Sequence, residues 1–203
     1  MRTLADLARG LNLPACTAGL PALALVTDDI RLADPLPLLA HLPAGSWVIL
    51  RHYAAENRAE LARRLARVCR ARRLTLLVAG DFDLAVAVGA GLHLPEGLAR
   101  EPLARIRLWR RNHRRTPLTC AAHARPALRR AALIGATAAL LSPVFPTLSH
   151  PGAKCLGPLA FRRLARSAGV AVYALGGVNA ATIGRLTGSG AAGIACIDGL
   201  RRR

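Results

Sequence analysis

The sequence is poor in aromatic residues and has no long apolar run. Aromatic residues make up 3% of the chain while 53% of its residues are hydrophobic, so its core must consist mainly of Ala, Leu and Val. No run approaches the roughly 20 apolar residues that a membrane-spanning helix needs. Asp6 and Arg9 interrupt the N-terminal segment before a secretory leader could form. We therefore expect a cytoplasmic protein with no membrane partner.

The cysteines lack the spacing that disulfide-rich and zinc-binding proteins share. The chain has 5 Cys, an odd number, and no two of them stand at C-x-x-C spacing. Most of their neighbours are apolar. This pattern argues against a disulfide framework or a structural zinc site and favours a reducing compartment.

Acidic residues are also scarce. The chain has 29 Lys and Arg against 11 Asp and Glu, which gives a formal net charge of +18. Such a surplus suits polyanions. However, Lys154 is the only lysine, the arginines are spread over helix-like segments, and no aromatic residues lie between them to stack on bases. We therefore interpret the arginines as solvated helix faces and do not expect a nucleic-acid partner.

Short apolar segments alternate with helix-like segments along the whole chain. Strand-like segments cover residues 22–26, 47–50, 74–78, 91–94, 118–122, 138–141, the region of Tyr173, and 193–197. Helix-like segments cover residues 3–11, 35–42, 56–72, 82–88, 98–112, 126–134, 158–168 and 180–186. The strand-like segments do not alternate in polarity, which is typical of parallel strands that are covered on both faces.

Eight strand–helix units predict an α/β fold, a compact (β/α)8 TIM barrel that forms a single domain over residues 1–203. Residues 1–20 would cap one end of this domain. The chain stops at Arg203, shortly after the eighth strand, so the final helix is expected to be missing or very short. An open doubly wound sheet is the alternative, but residues 27–34 lack the G-x-G-x-x-G turn of that fold.

Two glycine- and proline-rich loops predict where a ligand binds. The segment SPVFPTLSHPG at 142–152 follows a buried strand and carries hydroxyls, a histidine and three prolines, with Lys154 just beyond. Downstream, the strand around Tyr173 ends in Gly176-Gly177. Stiff polar loops after buried strands commonly hold ligands in α/β proteins, although an ordinary strand–helix connection is the alternative interpretation.

These loops also carry a family resemblance. SPVFPTLSHPG, YALGGVN at 173–179 and GAAGIACIDGL at 190–200 resemble the superfamily of thiamine phosphate synthase and the TenI-type thiazole tautomerase. The resemblance extends to ALVTDD at 24–29, VILR at 48–51, DLAVAVGAGLHL at 83–94 and CAAHA at 120–124. It covers nearly the whole chain in one order and identifies the chain as a divergent member.

The resemblance implies an enzyme of thiamine biosynthesis. The first expectation is a transferase that resembles thiamine phosphate synthase and couples hydroxymethylpyrimidine diphosphate with thiazole phosphate. One alternative is an isomerase, a TenI-like thiazole tautomerase that uses His123. Another is a non-catalytic paralogue that binds a phosphate ligand. The partner would be a small phosphorylated thiazole or pyrimidine, and a homo-oligomer is left open.

The resemblance also implies which residues form the site. His123 occupies the position of the tautomerase histidine, which shuttles a proton. Substrate and phosphate would be bound by Arg51, Thr147, Ser149, His150, Lys154, Gly176, Gly177, Ile197 and Asp198. A helix beginning at Asn179 would add its positive end to the phosphate site.

Magnesium is the one cofactor that the resemblance implies. In the synthases, carboxylates after strands three and four hold Mg²⁺, but Gly80 and Leu98 occupy those positions here. Asp81 and Glu96 are the remaining candidates for the oxygen ligands that Mg²⁺ prefers. This eroded ligand set argues towards the tautomerase or the binding paralogue.

Overall fold

A computed structural model describes residues 3–12, 19–98, 103–147, 152 and 154–197, apart from the side chains of residues 12 and 103. Eight parallel strands close into a barrel in the order of the sequence. They are β1 (Leu23–Val26), β2 (Trp47–Leu50), β3 (Thr75–Ala79), β4 (Gly91–Leu94), β5 (Leu118–Ala122), β6 (Ala138–Leu141), β7 (Ala171–Ala174) and β8 (Gly193–Cys196). The barrel closes where β8 pairs with β1, with Ala24 opposite Ala195. The predicted (β/α)8 barrel is confirmed.

Helices connect the strands on the outside of the barrel. They are α1 (Leu4–Asn12), α2 (Leu36–Leu39), α3 (Arg58–Ala71), α4 (Phe82–Ala87), α5 (Leu103–Asn112), α6 (Arg125–Leu133) and α7 (Gly157–Arg166). Their apolar faces pack on the outward-facing side chains of the strands, and the largest buried cluster of the protein lies between these two layers.

The predicted helix over residues 180–186 is wrong, because only a 3₁₀ helix, Ile183–Leu186, forms there. Asn179 Oδ1 accepts hydrogen bonds from the backbone N–H groups of Ala181 and Thr182, and the Thr182 hydroxyl donates to the carbonyl of Gly177. Such local side-chain bonds compete with the helical hydrogen-bond pattern. No helix begins at Asn179, so the expected dipole at this position is absent.

Aliphatic side chains, from alanine to leucine and isoleucine, fill most of the barrel interior, as the low aromatic content requires. One exception lies at the amino-terminal end of the strands, where the rings of Trp47 and Tyr173 stack with centroids 5.1 Å apart. The Tyr173 hydroxyl donates to the carbonyl of Pro21, and burial raises the pKa of this hydroxyl. The two stacked rings close the barrel at the amino-terminal ends of the strands. The site lies at the other end of the barrel.

Helix α1 covers the seam between the last and first strands. It contacts β1, β8 and the 3₁₀ helix, and it buries Leu4, Ala8 and Leu11. The amphipathic N-terminal segment therefore shields apolar barrel wall from water. Residues 198–203, on which the expectation of a missing final helix rests, lie outside the described residues.

In the part of the chain that the structure describes, no helix combines the length and the apolar character that crossing a membrane requires.

Candidate active site

The candidate site lies at the carboxyl ends of the strands, which open onto one face in a parallel barrel. Most of the predicted site residues follow the strands at this face within the described segments: Arg51, Asp81, Glu96, His123, Thr147, Lys154, Gly176, Gly177 and Ile197. Ser149, His150 and Asp198 lie outside the described residues, so their roles stay predictions.

Arg51 is held at this face by a carboxylate that follows β1. Its Nη2 donates to Asp28 Oδ2 at 3.3 Å, and its backbone N–H donates to the Thr27 hydroxyl at 3.1 Å. A hydrogen bond from Arg31 at 2.9 Å, opposed by burial, sets the pKa of Asp28 well below its usual range. The Arg51 side chain is 33% exposed, so its cation is both positioned and accessible to an anion.

His52 is buried, and both of its ring nitrogens already have partners. Its Nε2 lies 3.2 Å from the carbonyl oxygen of Ala33, which can only accept a hydrogen bond, so Nε2 carries the proton. Its Nδ1 then accepts from the Thr27 hydroxyl at 2.7 Å. His52 therefore braces the loops after β1 and β2 rather than facing a ligand.

His93 forms the polar floor of the site. It lies on β4 next to Thr119 of β5, and its Nδ1 is 2.9 Å from the Thr119 hydroxyl. Burial, with a smaller effect from the positive charge of Arg51, lowers the pKa of His93 to about 4. The floor is therefore a neutral imidazole at physiological pH.

His123 is fixed in one ring orientation at the end of β5. Its Nδ1 lies 2.8 Å from the backbone carbonyl oxygen of Ser142, so Nδ1 donates this hydrogen bond. The opposite nitrogen, Nε2, faces Glu96 Oε2 at 3.7 Å. The ring is half exposed, and its Nε2 lies beside a carboxylate at the open end of the barrel.

Glu96, one of the two candidate metal ligands, faces His123 in the structure. With the Nδ1 proton committed to Ser142, a neutral His123 ring presents a lone pair to the carboxylate. A proton on Nε2 converts this contact between two acceptors into an ion pair. The arrangement suits a group that takes up and returns a proton.

Asp81, the other candidate metal ligand, already has two internal partners. Its Oδ1 accepts from the backbone N–H of Leu84 at 2.9 Å and so caps α4. Its Oδ2 lies 3.4 Å from Nη1 of Arg58, whose Nη2 donates to the carbonyl of Ala79. Within the described segments, no three His, Cys, Asp or Glu side chains come together as a metal site. Mg²⁺ can also bind through one or two carboxylates together with substrate phosphates, so its binding at Asp81 or Glu96 stays a prediction.

The Gly176-Gly177 pair is required because the loop after β6 passes directly over it. A Cβ on Gly177 would lie 2.3 Å from the carbonyl oxygen of Pro146, and a Cβ on Gly176 would lie 2.9 Å from Cα of Pro143. Both glycines have positive φ, +89° and +65°. No other residue type fits this approach without moving backbone.

The backbone N–H groups of Gly176 and Gly177 are candidates for anion binding. Neither makes a hydrogen bond in the described part of the chain, although the Gly176 carbonyl accepts from Phe145 at 3.0 Å. Successive backbone N–H groups in a turn can form a concave anion site. The pair therefore keeps two donors available even without the expected helix dipole.

Three further predicted binding residues lie within the described segments. Lys154 is exposed on the loop after β6, and Thr147 is partly buried. The Ile197 side chain is 8% exposed and packs inside the barrel, so only its backbone would face a ligand. Whether these residues bind phosphate stays a prediction.

Arg58 and Thr119 were not predicted as site residues from the sequence, and Ser142 was named only as part of the loop at 142–152. Thr119 had a signal, since it is the inward-facing polar residue of an apolar strand and alternates with Ala121. Arg58 was treated as one of many helix arginines. The Ser142 contribution comes from its backbone carbonyl, which no residue pattern identifies.

Comparisons with known proteins identify sequence relatives and the family of the chain. The chain is 35% identical over 179 residues to a thiamine-phosphate synthase from Chromobacterium violaceum, covering 85% of this chain and 83% of that protein. It is 34% identical over 144 residues to a thiamine-phosphate synthase from Geobacillus kaustophilus, covering 69% of this chain and 62% of that protein.

The fold is similar to that of a thiamine phosphate pyrophosphorylase from Pyrococcus furiosus, with a TM-score of 0.71 and 22% identity over 90% of this chain and 87% of that chain. The model of the thiamine monophosphate synthase family, TMP-TENI, matches residues 23–200, which include all eight strands. The chain therefore belongs to the thiamine monophosphate synthase family.

Proposed function

We propose that this family member is a thiazole tautomerase, which transfers a proton on a phosphorylated thiazole through His123 and needs no magnesium-bound diphosphate. The family and the curated relatives support a function of the thiamine-biosynthesis type. The choice of tautomerase rests on the geometry of His123, Glu96 and Asp81.

The single observation that carries the proposal is the orientation of the His123 ring. Its Nδ1 proton is held by the Ser142 carbonyl at 2.8 Å, and its Nε2 faces Glu96 at 3.7 Å. This leaves one nitrogen available for acid–base work and places a carboxylate where the imidazolium would form. Histidine is suited to both directions of proton transfer near neutral pH.

The isomerisation needs no reactant other than the thiazole itself. His123 Nε2 takes a proton from one atom of the thiazole, and the resulting imidazolium is stabilised by Glu96. The same nitrogen returns the proton to a second atom of the ring system, so a double bond shifts and nothing leaves. A positioned general acid–base of this kind contributes typically about 10²–10⁴-fold in rate.

The substrate phosphate would bind at the end of β7, beside the loop that also contacts His123. The N–H groups of Gly176 and Gly177 have no other partner in the described part of the chain, and Arg51 adds a positioned cation. Lys154, Thr147, Ser149, His150 and the residues Ile197 and Asp198 are the further candidates. The net charge of +18 would also attract an anionic ligand to the protein.

Synthase activity is the second candidate, favoured by the names of the curated relatives. Displacement of a diphosphate needs cations that stabilise the leaving group. Asp81 is instead bonded to Arg58 and to the first turn of α4, and Glu96 faces His123. The residues described here favour proton transfer over that displacement.

The experiment compares isomerisation of a thiazole phosphate carboxylate, followed by NMR, with and without Mg²⁺. We expect turnover without the metal, and a loss of at least about 10²-fold in His123→Gln with little change in affinity by calorimetry. His41→Gln, an exposed histidine at the end of α2, is the matched control and should keep full activity.

Formation of thiamine phosphate, seen only when hydroxymethylpyrimidine diphosphate and Mg²⁺ are added, would establish a synthase instead. Tight binding of the thiazole phosphate with no turnover of either kind would establish the binding paralogue.

A further inference from the structure

One half of the chain has no carboxylate side chains. Between Glu101 and Asp198 the sequence contains no Asp or Glu, whereas about half of the 29 Lys and Arg residues lie there. A preference for arginine adds positive charge, but it does not remove acidic residues. This observation revises the interpretation of the arginines as an evenly solvated surface.

The fold gathers this acid-free half on one side of the barrel. It contains β5 to β8 with the consecutive outer helices α5, α6 and α7. On the opposite side, α3 carries its own counter-charge, because Glu60 lies 3.4 Å from Arg63 and 3.5 Å from Arg67. The positive field of the protein is therefore strongest over the helices that follow β4 and β5.

A groove marks the surface of α5 on this side. It has a volume of about 520 Å³ and is lined by Arg107, Arg110, Arg111, Arg114 and Ile134. Arg110 holds the end of the helix by donating to the carbonyl of Thr116 at 2.8 Å. In the described segments, Arg107, Arg111 and Arg114 make neither ion pairs nor side-chain hydrogen bonds.

Two of these arginines lie one turn apart on the helix. Arg107 and Arg111 are separated by four residues within α5, so their like charges lie next to each other and repel in the free protein. Arg114 follows in the turn after Asn112, where the helix ends. Neighbouring cations without counter-charges favour a partner with closely spaced anions, and a nucleic-acid strand carries one phosphate per roughly 3.4 Å of helix axis.

We propose that the groove on α5 is a docking surface for the phosphate backbone of a nucleic-acid duplex. Planar guanidinium groups bind phosphate through paired hydrogen bonds, which lysine cannot reproduce. Binding would be independent of sequence and would not involve base stacking, because Trp109, the aromatic residue of α5, is 6% exposed and stacks on His113. The proposal is independent of the reaction at the strand ends.

The test measures fluorescence anisotropy of labelled 20-base-pair DNA and RNA duplexes of arbitrary sequence with the full chain between 50 and 200 mM salt. We expect wild-type binding that weakens steeply with salt. The triple variant Arg107→Gln, Arg111→Gln, Arg114→Gln should bind at least about 10-fold more weakly. Its slope of log K against log salt should be smaller by about 2–3, since each phosphate contact contributes about 0.9. The DNA and RNA arms identify which duplex binds more tightly.

The matched control removes three exposed arginines from α3 by Arg64→Gln, Arg67→Gln and Arg70→Gln. It should change the affinity less than about 3-fold, and circular dichroism should show that both triple variants are folded. An equal loss in both variants would overturn the proposal, because net charge alone would then explain binding. Polyglutamate that binds as tightly as the duplexes and competes for the same arginines would also overturn it, in favour of an acidic protein partner.

Discussion

Glu96 Oε2 lies 3.7 Å from Nε2 of His123, and the other nitrogen of that ring donates to the Ser142 carbonyl. The carboxylate follows β4 and the imidazole follows β5, so the neighbouring strands of the barrel bring them together. Glu96, a candidate metal ligand, is therefore the partner of His123, the residue that we propose transfers a proton. This pairing is the basis of the proton transfer that we propose for His123.

Glu96→Gln should slow tautomerisation by about 10-fold or more and leave the Michaelis constant nearly unchanged. The amide keeps the shape of the side chain but cannot stabilise an imidazolium by charge. Steady-state kinetics on the thiazole phosphate carboxylate measure this, with the exposed Glu60→Gln on α3 as the control. Combined with His123→Gln it should add little further loss, because the two residues act as a unit. Additive losses would mean that Glu96 acts on the substrate by another route.

Acid should destabilise the protein partly through His93. The pKa of this buried histidine is lowered from 6.5 to about 4. Below about pH 6.5 the unfolded chain binds a proton that the folded chain does not, so stability falls as the pH drops from about 6.5 to about 4. The full loss is on the order of 3 kcal/mol, at 1.36 kcal/mol per pKa unit.

Urea titrations across this pH range measure the effect. His93→Gln, which can still bond the Thr119 hydroxyl, should remove most of the slope between pH 6.5 and 4. The low pKa of Asp28 adds a loss at still lower pH in both proteins, so the difference between them isolates His93. Parallel curves for the two proteins would contradict the prediction.

Gly177→Ala should destabilise the protein much more than Gly188→Ala. The two glycines have nearly the same φ, +65° and +68°. A Cβ on Gly177 meets the Pro146 carbonyl at 2.3 Å, whereas a Cβ on Gly188 meets nothing within 4 Å. We expect a loss of about 1–2 kcal/mol at Gly188 from backbone conformation alone and of about 3 kcal/mol or more at Gly177. Equal losses would mean that the loop after β6 yields readily.

Magnesium with pyrophosphate should leave the melting temperature almost unchanged. The Asp81 carboxylate is bonded to Arg58 and to Leu84, and Glu96 faces His123. A ligand at 100 times its Kd would stabilise the folded state by about 2.7 kcal/mol. Differential scanning fluorimetry of the wild type and of Asp81→Asn measures this. A shift of several degrees that disappears in Asp81→Asn would assign a metal to Asp81 and revive the synthase.

The sequence predicted the barrel well because its strands are short, uniformly apolar and separated by helical periodicity. Trp47–Leu50 and Gly91–Leu94 match the predicted strands at both ends. The predicted helix over residues 180–186 was wrong, because hydrogen bonds between the Asn179 side chain and the backbone outweigh a weak helical preference there. The role of His123 was predicted from the resemblance to the TenI-type tautomerases. Its partners Glu96 and Ser142 lie on other loops, and only the packed loops bring them into contact.

The most direct test of the proposed function is deuterium incorporation into a thiazole phosphate carboxylate in D₂O without added metal, followed by proton NMR. While His123 Nε2 holds the proton taken from the thiazole, that proton can exchange with deuterium from the solvent. The wild-type protein should therefore introduce deuterium into the thiazole as it isomerises it. His123→Gln should bind the same ligand and introduce none above the uncatalysed rate. Undiminished deuterium incorporation by His123→Gln, or none by the wild type at saturating ligand, would contradict the proposed role of His123.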